Sequence, residues 1–207
     1  NLAAIEHFRD PSIPMIADFS LNIANHLSAR WIRSLGVQRF TASYDLNRDQ
    51  LLDLAHSQPA GHLEVVIHQQ MPMFHMEHCV YCSVLSPGTN KTNCGRPCDR
   101  HLVQLRDRVG AEHTLQADVA CRNTLFNATP QSGAESVLEL QVAGVGWYRI
   151  ELLDQDVDQA RFTVAIYRDL IDGRRSGEDV WRSLNATNRL GVTRGTLESK
   201  RDPLAIL

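Results

Sequence analysis

The chain has 207 residues, 43% of them hydrophobic and 22% charged, with a net charge of −3. These values suit a globular chain with a real core, and they exclude a strong basic field of the kind that draws nucleic acid over a whole surface. No apolar run reaches the length of a membrane span and no stretch reads as a signal peptide, so the expected setting is a reducing cytoplasm in which cysteines persist as thiols. The chain starts at Asn1, which predicts either processing or a piece of something longer.

Residues 13–24 open on a short apolar run of the kind found in buried parallel strands. Residues 29–35 read as an amphipathic helix stopped by Gly36. A second strand is predicted over 37–43, and a helix over 48–57 with Asn47 as its cap. Pro59, Ala60 and Gly61 break the chain before a third strand at 63–68. Strands alternating with helices at this short spacing predict right-handed βαβ units in a parallel sheet.

That rhythm stops at residue 71. Residues 71–130 are polar, broken by Gly and Pro, and carry every cysteine. A loop of that length is expected to be functional and ordered by a metal. Short strands are predicted at 101–105 and 114–119, with Gly110 at a hairpin position. The alternation resumes with a helix over 133–143 that Gly144 ends, a fourth strand at 147–152, a long helix over 156–172 and another over 178–185. In the long helix the expected apolar stripe is Val157, Ala160, Val164, Ile166, Tyr167 and Leu170. The predicted organisation is therefore βα units over 1–70, a cysteine-rich metal-binding insertion over 71–130, closing βα units over 131–195 and a tail over 196–207. Four parallel strands make either a small open sheet or half of an eight-stranded barrel. In a barrel, loops after the strand ends carry the site.

Four of the five cysteines, Cys79, Cys82, Cys94 and Cys98, fall in a C-x2-C, eleven-residue, C-x3-C pattern, and Cys121 follows. Two close pairs aim two sulfurs each at one ion or cluster, which is the spacing of a thiolate metal site. Spacing alone serves zinc and an iron–sulfur cluster equally. Candidate substrate-site residues are Glu64 and His68 on the third strand and Arg149 and Glu151 on the fourth, the last two on one face by alternation. Arg96, Arg100, Arg106 and Arg108 offer cations for phosphate or RNA. Ser132, ahead of the predicted helix at 133, marks a possible anion-holding helix start. Neither G-x-S-x-G nor H-E-x-x-H occurs in the chain, so no hydrolytic motif is visible.

Several of these segments together resemble the collagenase-like peptidases, peptidase family U32. Glu64-Val65-Val66-Ile67-His68 with Cys79 eleven positions on is similar to the family's signature strand and loop. Cys94-Gly95-Arg96-Pro97-Cys98, Asp118-Val119-Ala120-Cys121, residues 143–151 and Tyr167-Arg168 resemble its later segments in the same order. The resemblance implies the C-terminal half of a (β/α)8 TIM-like barrel, partnered by a missing N-terminal half of the same protein. It further implies a 4Fe–4S cluster on Cys79, Cys94, Cys98 and Cys121, in an enzyme that hydroxylates or otherwise oxidises RNA or a small aromatic substrate. Local spacing instead offers Cys82 as the fourth ligand, and both readings stay open. The alternatives are a collagenase-like peptidase acting on peptide substrates, and a structural zinc domain holding Zn2+.

Overall fold

The computed structural model describes residues 1–10, 12–187 and 190–198. In chain order the elements begin with α1 (Leu2–His7), β1 (Met15–Ala17), α2 (His26–Ser34), β2 (Val37–Thr41), α3 (Arg48–His56) and β3 (Leu63–Gln69). Then come β4 (Pro72–Met76), α4 (Val80–Leu85), β5 (Val103–Arg106), β6 (Glu112–Ala117) and β7 (Asn123–Phe126). The chain continues through β8 (Gln131–Ser132), α5 (Val137–Val142), β9 (Trp147–Ile150), α6 (Val157–Ile171) and α7 (Gly177–Thr187). Among the described residues no helix is long and apolar enough to cross a membrane.

Two compact units emerge, one of Asn1–Gln69 with Gln131–Leu207 and one of Gln70–Pro130. The first is mixed α/β. β1, β2, β3 and β9 pair in parallel, and the two-residue β8 adds antiparallel to the far end of β3. The register sets Thr41 beside Glu64, Glu64 beside Trp147 and Val66 beside Arg149. Side chains alternate along a strand, so Phe40, Leu63, Val65 and Ile67 face one way. They form the core with Ala29 and Ile32 of α2, Leu51 and Leu54 of α3, Leu140 of α5, and Ile166 and Tyr167 of α6. Glu64 and Thr41 face the other way.

The helices start where the sequence places their caps. Asn47 and Gln50 form a reciprocal capping box at α3, as do Asp156 and Gln159 at α6. Gly36 and Gly144, at φ +90°, end their helices in the left-handed region that glycine adopts without strain. The stripe expected along α6 needs correction. Val157 is exposed and Val164 is at the surface, whereas Thr163 is buried; the packing of α5 and α7 against α6 rotates the buried side towards Thr163, Ile166, Tyr167 and Leu170. The apolar run at 13–24 supplies only three strand residues before Asp18 caps a 3-10 turn, Phe19–Leu21. The single helix expected over 133–143 is a 3-10 turn, Ala134–Ser136, followed by α5.

The second unit is where the expectation of a long loop fails. β4, β7, β6 and β5 make a four-stranded antiparallel sheet, in that order. Leu115 and Leu125 pack under Tyr81 of α4, whose hydroxyl donates to the Leu115 carbonyl at 2.7 Å. Gly110 does turn the β5–β6 hairpin, at φ +89°. β4 and β7 escape sequence reading because neither shows a buried apolar alternation: β4 buries no side chain, and β7 buries Asn123 and Leu125. Their order comes from cross-strand pairing, not from a run of apolar residues. Residues 199–207 of the expected tail lie outside the described residues; before them Gly195–Leu197 forms a 3-10 turn and Leu197 is buried.

Candidate functional site

Within the parallel sheet, Glu64, Arg149 and Glu151 come together. Arg149 lies two positions along β9 from Trp147, the residue paired with Glu64, and its guanidinium donates to four side chains. Nε donates to Glu64 Oε1 at 2.6 Å, one Nη to Thr41 Oγ1 at 3.0 Å, and the other to Asp18 Oδ1 at 2.6 Å and to Glu151 Oε1 at 3.3 Å. Thr41 in turn donates to Glu64 Oε1 at 2.9 Å. Arg39 approaches the second Glu64 oxygen at 3.2 Å and lays its guanidinium 3.9 Å above the Trp147 ring. Glu64 is buried, which is tolerable for a carboxylate only because these cations and the hydroxyl surround it. Burial raises the Glu151 carboxyl above the usual carboxylate range, against the opposing pull of Arg149.

Sequence reading missed Asp18, Arg39, Thr41 and Trp147. The one available signal was register: parallel pairing of the second and third strands sets the end of one beside the start of the next, so Thr41 meets Glu64.

His68 sits on the same strand as Glu64 but joins a different group. Its backbone carbonyl accepts the Glu151 amide at 2.8 Å. Its side chain is buried, with Nδ1 at 3.3 Å from the Tyr167 hydroxyl and the two rings edge to face. Burial pulls the imidazole down to about 4, so it is neutral near pH 7. Ser132, expected to open an anion-holding helix, lies in β8; its hydroxyl is 2.7 Å from the Tyr167 hydroxyl and accepts the Ala134 amide at 3.3 Å.

In the antiparallel unit all five cysteines are free thiols. Cys79 caps the start of α4, its sulfur accepting the Cys82 amide at 3.4 Å with the Asn123 side-chain amide at 3.8 Å. Asn123 is itself held by the Val80 amide at 2.7 Å. Cys94 sulfur accepts the Arg96 amide at 3.4 Å. Cys121 sits at φ +66° in the β6–β7 turn, a conformation that few non-glycine residues adopt, and Asp118 holds that turn by accepting the Ala120 and Arg122 amides. Burial first, then the nearby Cys94 and Cys79 sulfurs, push the Cys82 thiol up, with Cys121 adding to it. Burial and then Asp99 do the same to Cys98, with Cys79 in reach.

The donor set is therefore soft and reduced, some of its sulfurs are near enough to influence one another, and N–H groups already point at two of them. That chemistry fits a thiolate-bound ion or cluster. As the side chains stand, no three His, Cys, Asp or Glu among the described residues converge as a metal's ligands do.

The arginines of this unit are partly committed. Arg96 pairs with Asp99, Arg106 with Glu112, and Arg100 donates to the Gly95 carbonyl. Lys91, Arg96 and Arg100 still line one open hollow of about 520 Å³ with Asp99.

A family model described as peptidase family U32 matches residues 2–201. No curated protein and no solved structure matches the chain.

Proposed function

The chain belongs to peptidase family U32, and from that premise we propose that its cysteines hold a 4Fe–4S cluster in an enzyme that oxidatively modifies RNA or a small aromatic substrate. The observation that carries this reading is the set of five free thiols gathered in one antiparallel unit, with backbone amides already donating to Cys79 and Cys94. Cys79, Cys94 and Cys98 are the shared ligands, with Cys82 or Cys121 as the fourth. When bound, such a cluster supplies one-electron chemistry whose potential is set by hydrogen bonds to its sulfurs and by nearby charge.

The rest falls to the chain's own side chains. Arg149 and Glu64 form a rigid charged floor that positions a polar substrate, Glu151 is the carboxyl whose proton is most readily held there, and neutral His68 is the acceptor. The same reading makes the parallel sheet one half of a (β/α)8 barrel. Support comes from its two faces, one covered by the helices and the other carrying Glu64, Thr41 and Arg149.

Peptide hydrolysis is the second reading, favoured by the family's description. A cysteine nucleophile needs a lowered pKa, and the thiols of Cys82 and Cys98 move the opposite way. A structural zinc site on the same thiols is the third.

One anaerobic preparation separates these readings, through its visible spectrum and its iron, sulfide and zinc content. The expected result is a brown protein with about four irons and four sulfides. A colourless protein carrying one zinc overturns the cluster and leaves a structural knuckle. A preparation with no metal overturns both.

A further inference from the structure

Tyr167 of α6 is fully buried, and its hydroxyl ends among polar groups at the close of β3 and the end of β8. The Ile67 carbonyl lies at 3.0 Å, Ser132 Oγ at 2.7 Å and His68 Nδ1 at 3.3 Å. A phenol has one hydrogen to give and lone pairs with which to accept. A carbonyl only accepts, so the Ile67 contact is a hydrogen bond only when the phenol's hydrogen points there. The two remaining neighbours must then donate. Ser132 does so while its own oxygen accepts the Ala134 amide at 3.3 Å. For the imidazole, donation places its one hydrogen on Nδ1, because the hydrogen bond made by one ring nitrogen decides the state of the other.

We propose that Tyr167 is a positioning residue that locks His68 in the neutral tautomer with its hydrogen on Nδ1, which leaves Nε2 as the ring's accepting nitrogen. The use of that nitrogen rests on the reading of His68 as the site's acceptor. The lock itself rests only on the three contacts of one hydroxyl. It has a structural logic: one side chain both ties α6 to the Ile67 carbonyl and sets the ring's hydrogen.

The test is a two-bond nitrogen–proton correlation spectrum of the chain labelled with 15N in histidine. His68→Gln identifies the His68 signals among nine histidines. The expected wild-type spectrum has a protonated Nδ1 and a bare Nε2 at neutral pH. Tyr167→Phe should move the tautomer ratio several-fold towards Nε2–H, while Ser132→Ala should leave it on Nδ1. A wild-type ring with its hydrogen on Nε2 overturns the proposal, and so does a Tyr167→Phe ring with an unchanged ratio. Should Tyr167→Phe fail to fold, the wild-type spectrum still decides between the two tautomers. The spectrum needs neither metal nor substrate, so a protein without a cluster leaves this result standing, and a failed lock leaves the cluster reading untouched.

Discussion

His68 ties the folded state to pH. An unfolded imidazole takes up its proton as the pH falls through about 6.5, whereas the folded one waits until about 4. Between these values the unfolded chain binds the extra proton, so stability falls as the pH drops through this window. A shift of this size corresponds to roughly 3 kcal/mol in total at 1.4 kcal/mol per unit. Urea unfolding followed from pH 7 to pH 4 should show that loss, and His68→Gln should flatten most of it. An unchanged slope in the variant would place the acid sensitivity elsewhere.

Arg149 makes the complementary case. Replacing it with Met leaves Glu64 buried with Arg39 at 3.2 Å and Thr41 as its remaining support. Removing one partner of a buried ion pair typically costs about 3–5 kcal/mol. We expect the low end of that range in urea unfolding, since Arg39 stays and Arg149 is itself partly exposed. A change below about 1 kcal/mol, the scale of an exposed pair, would show that the network is solvent-screened.

At the scale of elements, the cysteine-bearing unit depends on one close approach. Gly88 follows α4, and its carbonyl accepts from Cys82 Sγ at 3.4 Å. A Cβ there would stand 2.4 Å from the Asn93 carbonyl oxygen and 2.7 Å from Cys94 Cα. Backbone cannot yield as a flexible side chain can, so Gly88→Ala must push the strand of chain carrying Cys94 away from Cys82. We expect this substitution to lower iron or zinc uptake several-fold while leaving the melting of the parallel-sheet unit in place. Full metal loading in the variant would show that the approach of these two segments is not needed for binding. This dependence could not be read from the cysteine spacing, which says only that pairs are close along the chain.

For the whole molecule, two compact units imply two separable responses. Metal binding stabilises whatever holds the metal by mass action, and it supplies order where the ligands lie on turns. Limited proteolysis of anaerobically loaded protein should therefore lose its cuts within residues 70–130, and a chelator should restore them. Cleavage elsewhere should be unaffected. Equal protection across the chain would mean that the units respond as one body.

The sequence by itself determined the helices that cap themselves, the glycines that stop them, the parallel strands of the βα units, and the thiols as the chemically distinctive residues of the chain. Those features depend on near neighbours: Asn47 finds Gln50, Asp156 finds Gln159, and Gly36 and Gly144 need only their own backbone freedom. The tertiary structure decided that residues 71–130 form an antiparallel sheet, that Thr163 and not Val157 faces the core, that Asp18 and Thr41 join Glu64 and Arg149, and that His68 answers to Tyr167. Each of these rests on residues far apart in the chain, brought together by strand register or by a helix packing on a sheet. No local pattern encodes such pairings, because their free energy exists only once both partners have been carried into place.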